Sequence, residues 1–90
     1  MRSFELIPTD GRKSFYGKAI VMQDSTTAYL RSYSTIVGKI ENGTFYRCWK
    51  LEENEHATNT TLRHINAFLQ AFGLAKISKS QFEHMEVVEA

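Results

Sequence analysis

An Asn-Gly pair at positions 42 and 43, set between two β-prone runs, constrains this chain more than any other feature. A two-residue type I′ turn needs positive φ at both central positions, and Asn followed by Gly meets that need at little cost. Such a turn fixes the strand register by arithmetic: Glu41 faces Thr44, Ile40 faces Phe45, Gly38 faces Arg47 and Ile36 faces Trp49. One face then carries Ile36, Ile40, Phe45 and Trp49, with Gly38 and Arg47 among them. The other carries Val37, Lys39, Tyr46 and Cys48. The first set is the more apolar, so it is predicted to face the core, and a slip of one residue would exchange the two faces.

The rest of the first half reads as short strands broken by turns. Phe4 and Leu6 alternate with polar neighbours before a turn at Pro8-Thr9-Asp10-Gly11. Residues 18–23 place Ile20 and Met22 on one face and Ala19 and Val21 on the other, and Asp24-Ser25 marks the next turn. Residues 27–33 alternate Ala28 and Leu30 against Tyr29, Arg31 and Tyr33. Leu51 to His56 is acidic and aperiodic, a loop. Thr58, Asn59 and Thr60 offer N-caps for a helix reaching Phe72, with Leu62, Ile65, Phe68, Leu69 and Phe72 on one stripe. Gly73 suits the left-handed position after that helix, with Leu74 folding back on Leu69. Ser78 and Gln81 form a capping box, with Ile77 and Phe82 as its hydrophobic staple, for a second helix ending near residues 85–87. Val88 to Ala90 is expected to fray. Residues 1–90 therefore read as a single α+β domain: an antiparallel sheet of about four to five strands against one main C-terminal helix and a short second one.

Composition removes several functional classes. With Cys48 as its one cysteine, the chain can form neither an internal disulfide nor a thiolate metal site. No apolar run has the length of a signal peptide or a membrane span, so no membrane association and a cytoplasmic setting are expected. The formal charge is +1, but its distribution is uneven. Residues 1–50 hold eight Lys/Arg against four Asp/Glu, a balance of +4, and residues 51–90 hold three against six, a balance of −3. A basic strand half can mark a polyanion-binding face, although ordinary solvated surface is the plainer reading.

Catalytic and cofactor signatures are missing. Phosphate-cradling glycine patterns and nucleophile elbows do not occur, and His84-Met85-Glu86 lacks the paired cysteines that would make it a zinc-deaminase motif. No cofactor and no metal is expected: His56, His64 and His84 match no ligand spacing, and His64 falls at the edge of the helix stripe, where a structural hydrogen bond is the preferred reading. Cys48 reads as buried filler rather than a nucleophile. Arg47 has two readings. The preferred one is an edge arginine whose stem packs while its head reaches water, and the sharper one is a recognition group in an aromatic-lined pocket made roomy by Gly38. Arg12, Lys13 and Tyr16 lie in a segment that mixes cations with aromatic rings, as single-strand binders do.

The pattern Leu30-x-Ser32-Tyr33-x-Thr35-x-Val37, with Trp49 and then Thr60-Thr61-x-x-His64-Ile65-x-x-Phe68-Leu69 and Gly73, resembles an uncharacterised family of small domains from bacteriophages and mobile elements. The resemblance covers about residues 28–73. It implies a phage-related setting and no assigned activity, with the Leu30–Val37 run read as one strand. Thr60, Thr61 and His64, with Ser32, Tyr33 and Thr35, are then expected to tie helix to strand. Three functional readings follow, in order of preference. The first is a non-enzymatic module binding a host or phage protein, one version being an inhibitor of a host defence system, with Arg47, Trp49, Tyr33, Arg12, Lys13 and Tyr16 as candidate contacts. The second is a nucleic-acid-binding domain using the basic strand half. The third, an enzyme, requires a polar pocket uniting His64 with Tyr33 or a carboxylate. Self-association through an uncovered edge strand is compatible with any of them.

Overall fold

The computed structural model describes residues 2–7, 17–51 and 58–90. Among them, β1 (Arg2–Glu5), β2 (Ala19–Gln23), β3 (Thr27–Ser32), β4 (Thr35–Glu41) and β5 (Thr44–Arg47) form one antiparallel sheet in chain order. Two helices follow, α1 (Asn59–Ala71) and α2 (Lys79–Glu83), so the fold is the expected α+β arrangement. The turn expected at residues 8–11 and the loop expected from Leu51 to His56, apart from Leu51 itself, lie outside the described residues.

The Asn-Gly turn forms as its chemistry dictates, with Asn42 at φ 53° and Gly43 at φ 77°. Glu41 pairs with Thr44, Ile40 with Phe45 and Gly38 with Arg47, as the turn requires. The ladder stops there, so Ile36 and Trp49 do not pair; Cys48 N donates to the Val37 carbonyl at 3.0 Å instead. A second departure lies on the other side of β4. Leu30 pairs with Gly38 but Arg31 pairs with Ile36, so two residues of β4 stand opposite one of β3, which is a β-bulge. The extra residue shifts the alternation by one. Val37, expected on the outer face, therefore turns into the core at 2% exposure, and Ile36, expected inside, is only partly buried. Gly38 serves Phe45 rather than Arg47: a Cβ there would lie 2.5 Å from the Phe45 ring and 3.2 Å from the Tyr46 carbonyl oxygen.

The run from Leu30 to Val37 is not one strand. β3 ends at Ser32, the chain turns at Tyr33 and Ser34, and β4 starts at Thr35. Tyr33 sits at φ 57°, a conformation that neither its side chain nor any flanking glycine advertises.

Helix α1 is capped by Thr58, whose hydroxyl accepts from Thr61 N at 3.1 Å. Thr60, read as a cap, is instead an exposed residue of the first turn. Ile65, Phe68 and Leu69 are buried as the stripe predicts, and the buried arc extends to Thr61, His64 and Ala67. The apolar members of this arc join Ala19, Val21, Ala28, Leu30 and Ile40 of the inner sheet face in one core. The helix closes with Gly73 at φ 77°, Gly73 N donating to Gln70 O at 3.1 Å and Leu74 N to Leu69 O at 2.8 Å, the two bonds of a Schellman ending. The capping box of α2 is complete, and Phe82 is fully buried, worth about 2–3 kcal/mol of hydrophobic stabilisation. This helix ends at Glu83, earlier than its pattern suggested. The start of the tail is tied down as far as Val88: Val87 bridges to Arg47 and Val88 N donates to Arg47 O at 2.8 Å.

Candidate functional site

A cleft of about 360 Å³ opens where the β3–β4 turn meets the first turn of α1. Tyr33 and Trp49 line it with aromatic surface, and Ser32, Thr35, Thr58 and Thr60 bring hydroxyl-bearing side chains to it. Three of these placements have an identifiable cause. Tyr33 N donates to the Lys18 carbonyl at 2.7 Å, which fixes the turn against the start of β2. Trp49 lies just past β5 and packs on the core, its ring 6.3 Å from that of Phe82. Thr58 is held by its own capping bond and by a 3.0 Å hydroxyl contact with Thr61.

Behind this wall, Ser32 Oγ and His64 Nδ1 share a 2.7 Å hydrogen bond in the interior. His64 is 1% exposed, so it lies inside the core rather than at the edge of the stripe. Burial, followed by the nearby charge of Arg63, lowers its pKa to about 4, and the imidazole is neutral at physiological pH. The bond is a side-chain tie between sheet and helix, of the kind expected for the polar residues of this pattern. The Tyr33 ring stands 5.8 Å from the His64 ring, and Lys18 Nζ lies 5.6 Å from the centre of the Tyr33 ring.

Tyr33, Trp49, Thr60, Thr61 and His64 thus converge at or beside one cleft, although they come from three separate stretches of sequence. Tyr33 and His64 are the pair that the enzyme reading requires. Among the described residues lining the cleft there is no carboxylate, and the Nδ1 of His64 is engaged by Ser32. Aromatic walls and hydroxyls suit binding and orientation of a ligand better than proton transfer.

Arg47 lies elsewhere and answers to neither of its expected roles. It is 5% exposed, so its head does not reach water. Its Nε donates to Trp49 O at 2.8 Å, and one terminal nitrogen donates to Phe82 O, Glu83 O and Met85 O at 3.0–3.1 Å. The guanidinium also covers the Phe82 ring, 4.9 Å from its centre. It therefore caps the carbonyl end of α2 with a buried positive charge, where the helix dipole favours one. Nothing in the sequence announced this, because three of the four partners are main-chain atoms 35–38 residues away. Cys48 is partly buried and burial raises its thiol pKa, as suits a packed thiol. Arg12, Lys13 and Tyr16, and His56 with them, lie outside the described residues. Among the described residues no group of three His, Cys, Asp or Glu is placed to hold a metal ion, and no helix is long and apolar enough to cross a membrane.

Fold and cleft together define a small α+β domain: a five-stranded antiparallel meander backed by one long and one short helix, with an aromatic, hydroxyl-lined cleft at the head of the long one. The chain belongs to a family described as a family of unknown function, DUF8033, whose model matches residues 3–84. Neither the curated proteins nor the solved structures contain a match.

Proposed function

We propose that this domain is a non-enzymatic interaction module that holds a segment of a partner protein in the cleft between the β3–β4 turn and α1. The observation that carries the reading is Tyr33. It is a large aromatic residue left 52% exposed, held at positive φ and set in the same cleft as Trp49. Protein interfaces concentrate their binding energy in such Tyr and Trp anchors, and strained backbone is kept where a surrounding structure has a use for it. The flanking hydroxyls of Thr35 and Thr60 supply donors and acceptors for a partner's main chain. A bacteriophage or mobile-element origin, with a bacterial cytoplasm as the place of action and a defence enzyme as one target, fits a binding domain of this size. The genes on either side of this one test that setting.

Affinity capture from host lysate tests the binding itself. The intact domain is expected to retain a stoichiometric protein, and Tyr33→Ala to lose at least nine-tenths of it. Recovery of no stoichiometric protein, or equal recovery by the variant, would sink the proposal.

A further inference from the structure

Both helices and the core lie against one face of the sheet. On the opposite face, cross-strand pairing aligns Ser3, Met22, Tyr29, Lys39 and Tyr46 in a single row. Arg31, opposite Ile20, stands in the row beside it. Among the described residues no helix or strand packs on this face, and Tyr29 and Tyr46 keep part of their surface in solvent. Strand spacing of about 4.8 Å sets the two tyrosines roughly 10 Å apart, with Lys39 between them. Lys39 Nζ rests 5.9 Å from the centre of the Tyr46 ring. Among the described residues, the carboxylates of Glu5 and Glu41 at the border of this face are engaged within the protein: Glu5 accepts from Gly17 N at 2.8 Å and Glu41 from Thr27 Oγ1 at 2.9 Å.

We infer that this face is a platform for a single strand of nucleic acid, distinct from the cleft in both place and partner. Bases stack on Tyr29 and Tyr46, while Lys39 and Arg31 pair with the phosphates between and beside them. Alternating rings and cations on an open sheet are the chemistry that sequence-tolerant single-strand binding uses. A broad, shallow face cannot enter a duplex groove, and paired bases offer no free ring face to stack upon, so the duplex is disfavoured. With two cations at the centre, the affinity is modest. The logarithm of the binding constant should fall with that of salt at a slope of about −1.4.

Fluorescence anisotropy of labelled oligothymidine and oligouridine with the whole chain, at about 50 mM salt, tests this. Saturable binding is expected for both single strands, and binding to the matching duplex at least tenfold weaker. Tyr29→Ala with Tyr46→Ala should weaken single-strand binding at least tenfold, whereas Tyr29→Phe with Tyr46→Phe should retain it. Lys39→Gln with Arg31→Gln should flatten the salt slope towards zero, which decides the matter even if the alanine pair folds poorly. Lys76→Gln, between the two helices and away from this face, should leave all of these values unchanged. No binding at that salt, equal binding to duplex, or indifference to the Lys39 and Arg31 changes would each overturn the proposal.

Discussion

Among the described residues, two tight turns of the sheet place a non-glycine residue in the left-handed region, and they do so on different terms. At the β4–β5 turn Asn42 (φ 53°) is followed by Gly43 (φ 77°), both suited to the conformation and both exposed to solvent. At the β3–β4 turn Tyr33 (φ 57°) has no such suitability and is worth about 1–2 kcal/mol less there than in a right-handed conformation. The first turn sets a register at low cost. The second holds a half-exposed ring at the mouth of a cleft, backed by a buried Ser32–His64 bond. One hairpin fixes a register and the other leaves an aromatic ring exposed, and experiments on each should separate stability from the proposed binding.

The largest effect is expected where the β4–β5 hairpin ends. Replacing Arg47 by Met removes the donors to four buried or half-buried main-chain carbonyls, of which Phe82 O keeps the bond from Met85 N at 3.1 Å. A loss of about 3–4 kcal/mol is expected in urea unfolding, together with faster hydrogen exchange at Val88 N. Arg47→Lys should not preserve the stability, since an ammonium cannot present Nε and a terminal nitrogen in two directions. A cost below about 1 kcal/mol for the Met variant would mean that this hairpin has no such stabilising role.

Next comes the pH response of the other hairpin's support. His64 has a folded pKa of about 4 against an ordinary value of 6.5, so between those values the unfolded chain binds more protons than the folded one. Stability should therefore fall as pH drops from about 6.5 to about 4, by roughly 3 kcal/mol, and be unaffected by this group below that window. Asp24 acts in a separate range. The Thr26 and Thr27 amides hold its carboxyl below the ordinary 3.8, so its contribution is present above that value and is lost on further acidification. Thermal unfolding at intervals from about pH 7 to about pH 4 measures the His64 part, and His64→Gln should abolish the slope. A slope that survives in the variant would assign it to other groups.

These two regions also show what was readable from residues alone. The Asn-Gly turn, the capping box at Ser78 and the Schellman glycine at Gly73 are local chemistry: each is specified by residue types within a few positions, and each formed as expected. The bulge at Ile36 and Val37 is not local, because it is settled by how β4 meets β3, and so the inward residue was misassigned. Arg47 was misread for the same reason, its partners being carbonyls of a distant helix. Of the cleft, Tyr33, Trp49, Thr60, Thr61 and His64 were singled out and the approach of the helix start to Ser32 and Tyr33 follows from the family pattern, but the place of Trp49 beside them and the turn at Tyr33 could not be seen. A tyrosine between Ser32 and Ser34 carries no turn signal; only sheet pairing forces the chain to reverse there.

The smallest stability effect should be the most informative. Gly43→Ala meets no atom within 4 Å but keeps φ at 77°, so it is expected to cost about 1 kcal/mol and to leave binding at the cleft intact. Tyr33→Gly does the reverse. It relieves the left-handed strain, an amount comparable to what is lost in packing from a half-exposed ring and in added freedom of the unfolded chain. Its net effect on stability should stay within about 1 kcal/mol, while partner capture should fall as it does for Tyr33→Ala. Urea unfolding and capture measured on the same preparations give the two numbers for each variant. If Tyr33→Gly costs more than about 2 kcal/mol, Tyr33 is a structural residue of the turn and its exposure carries no functional meaning. If it is nearly neutral for folding and abolishes capture, the strain at this turn is maintained for the surface it presents.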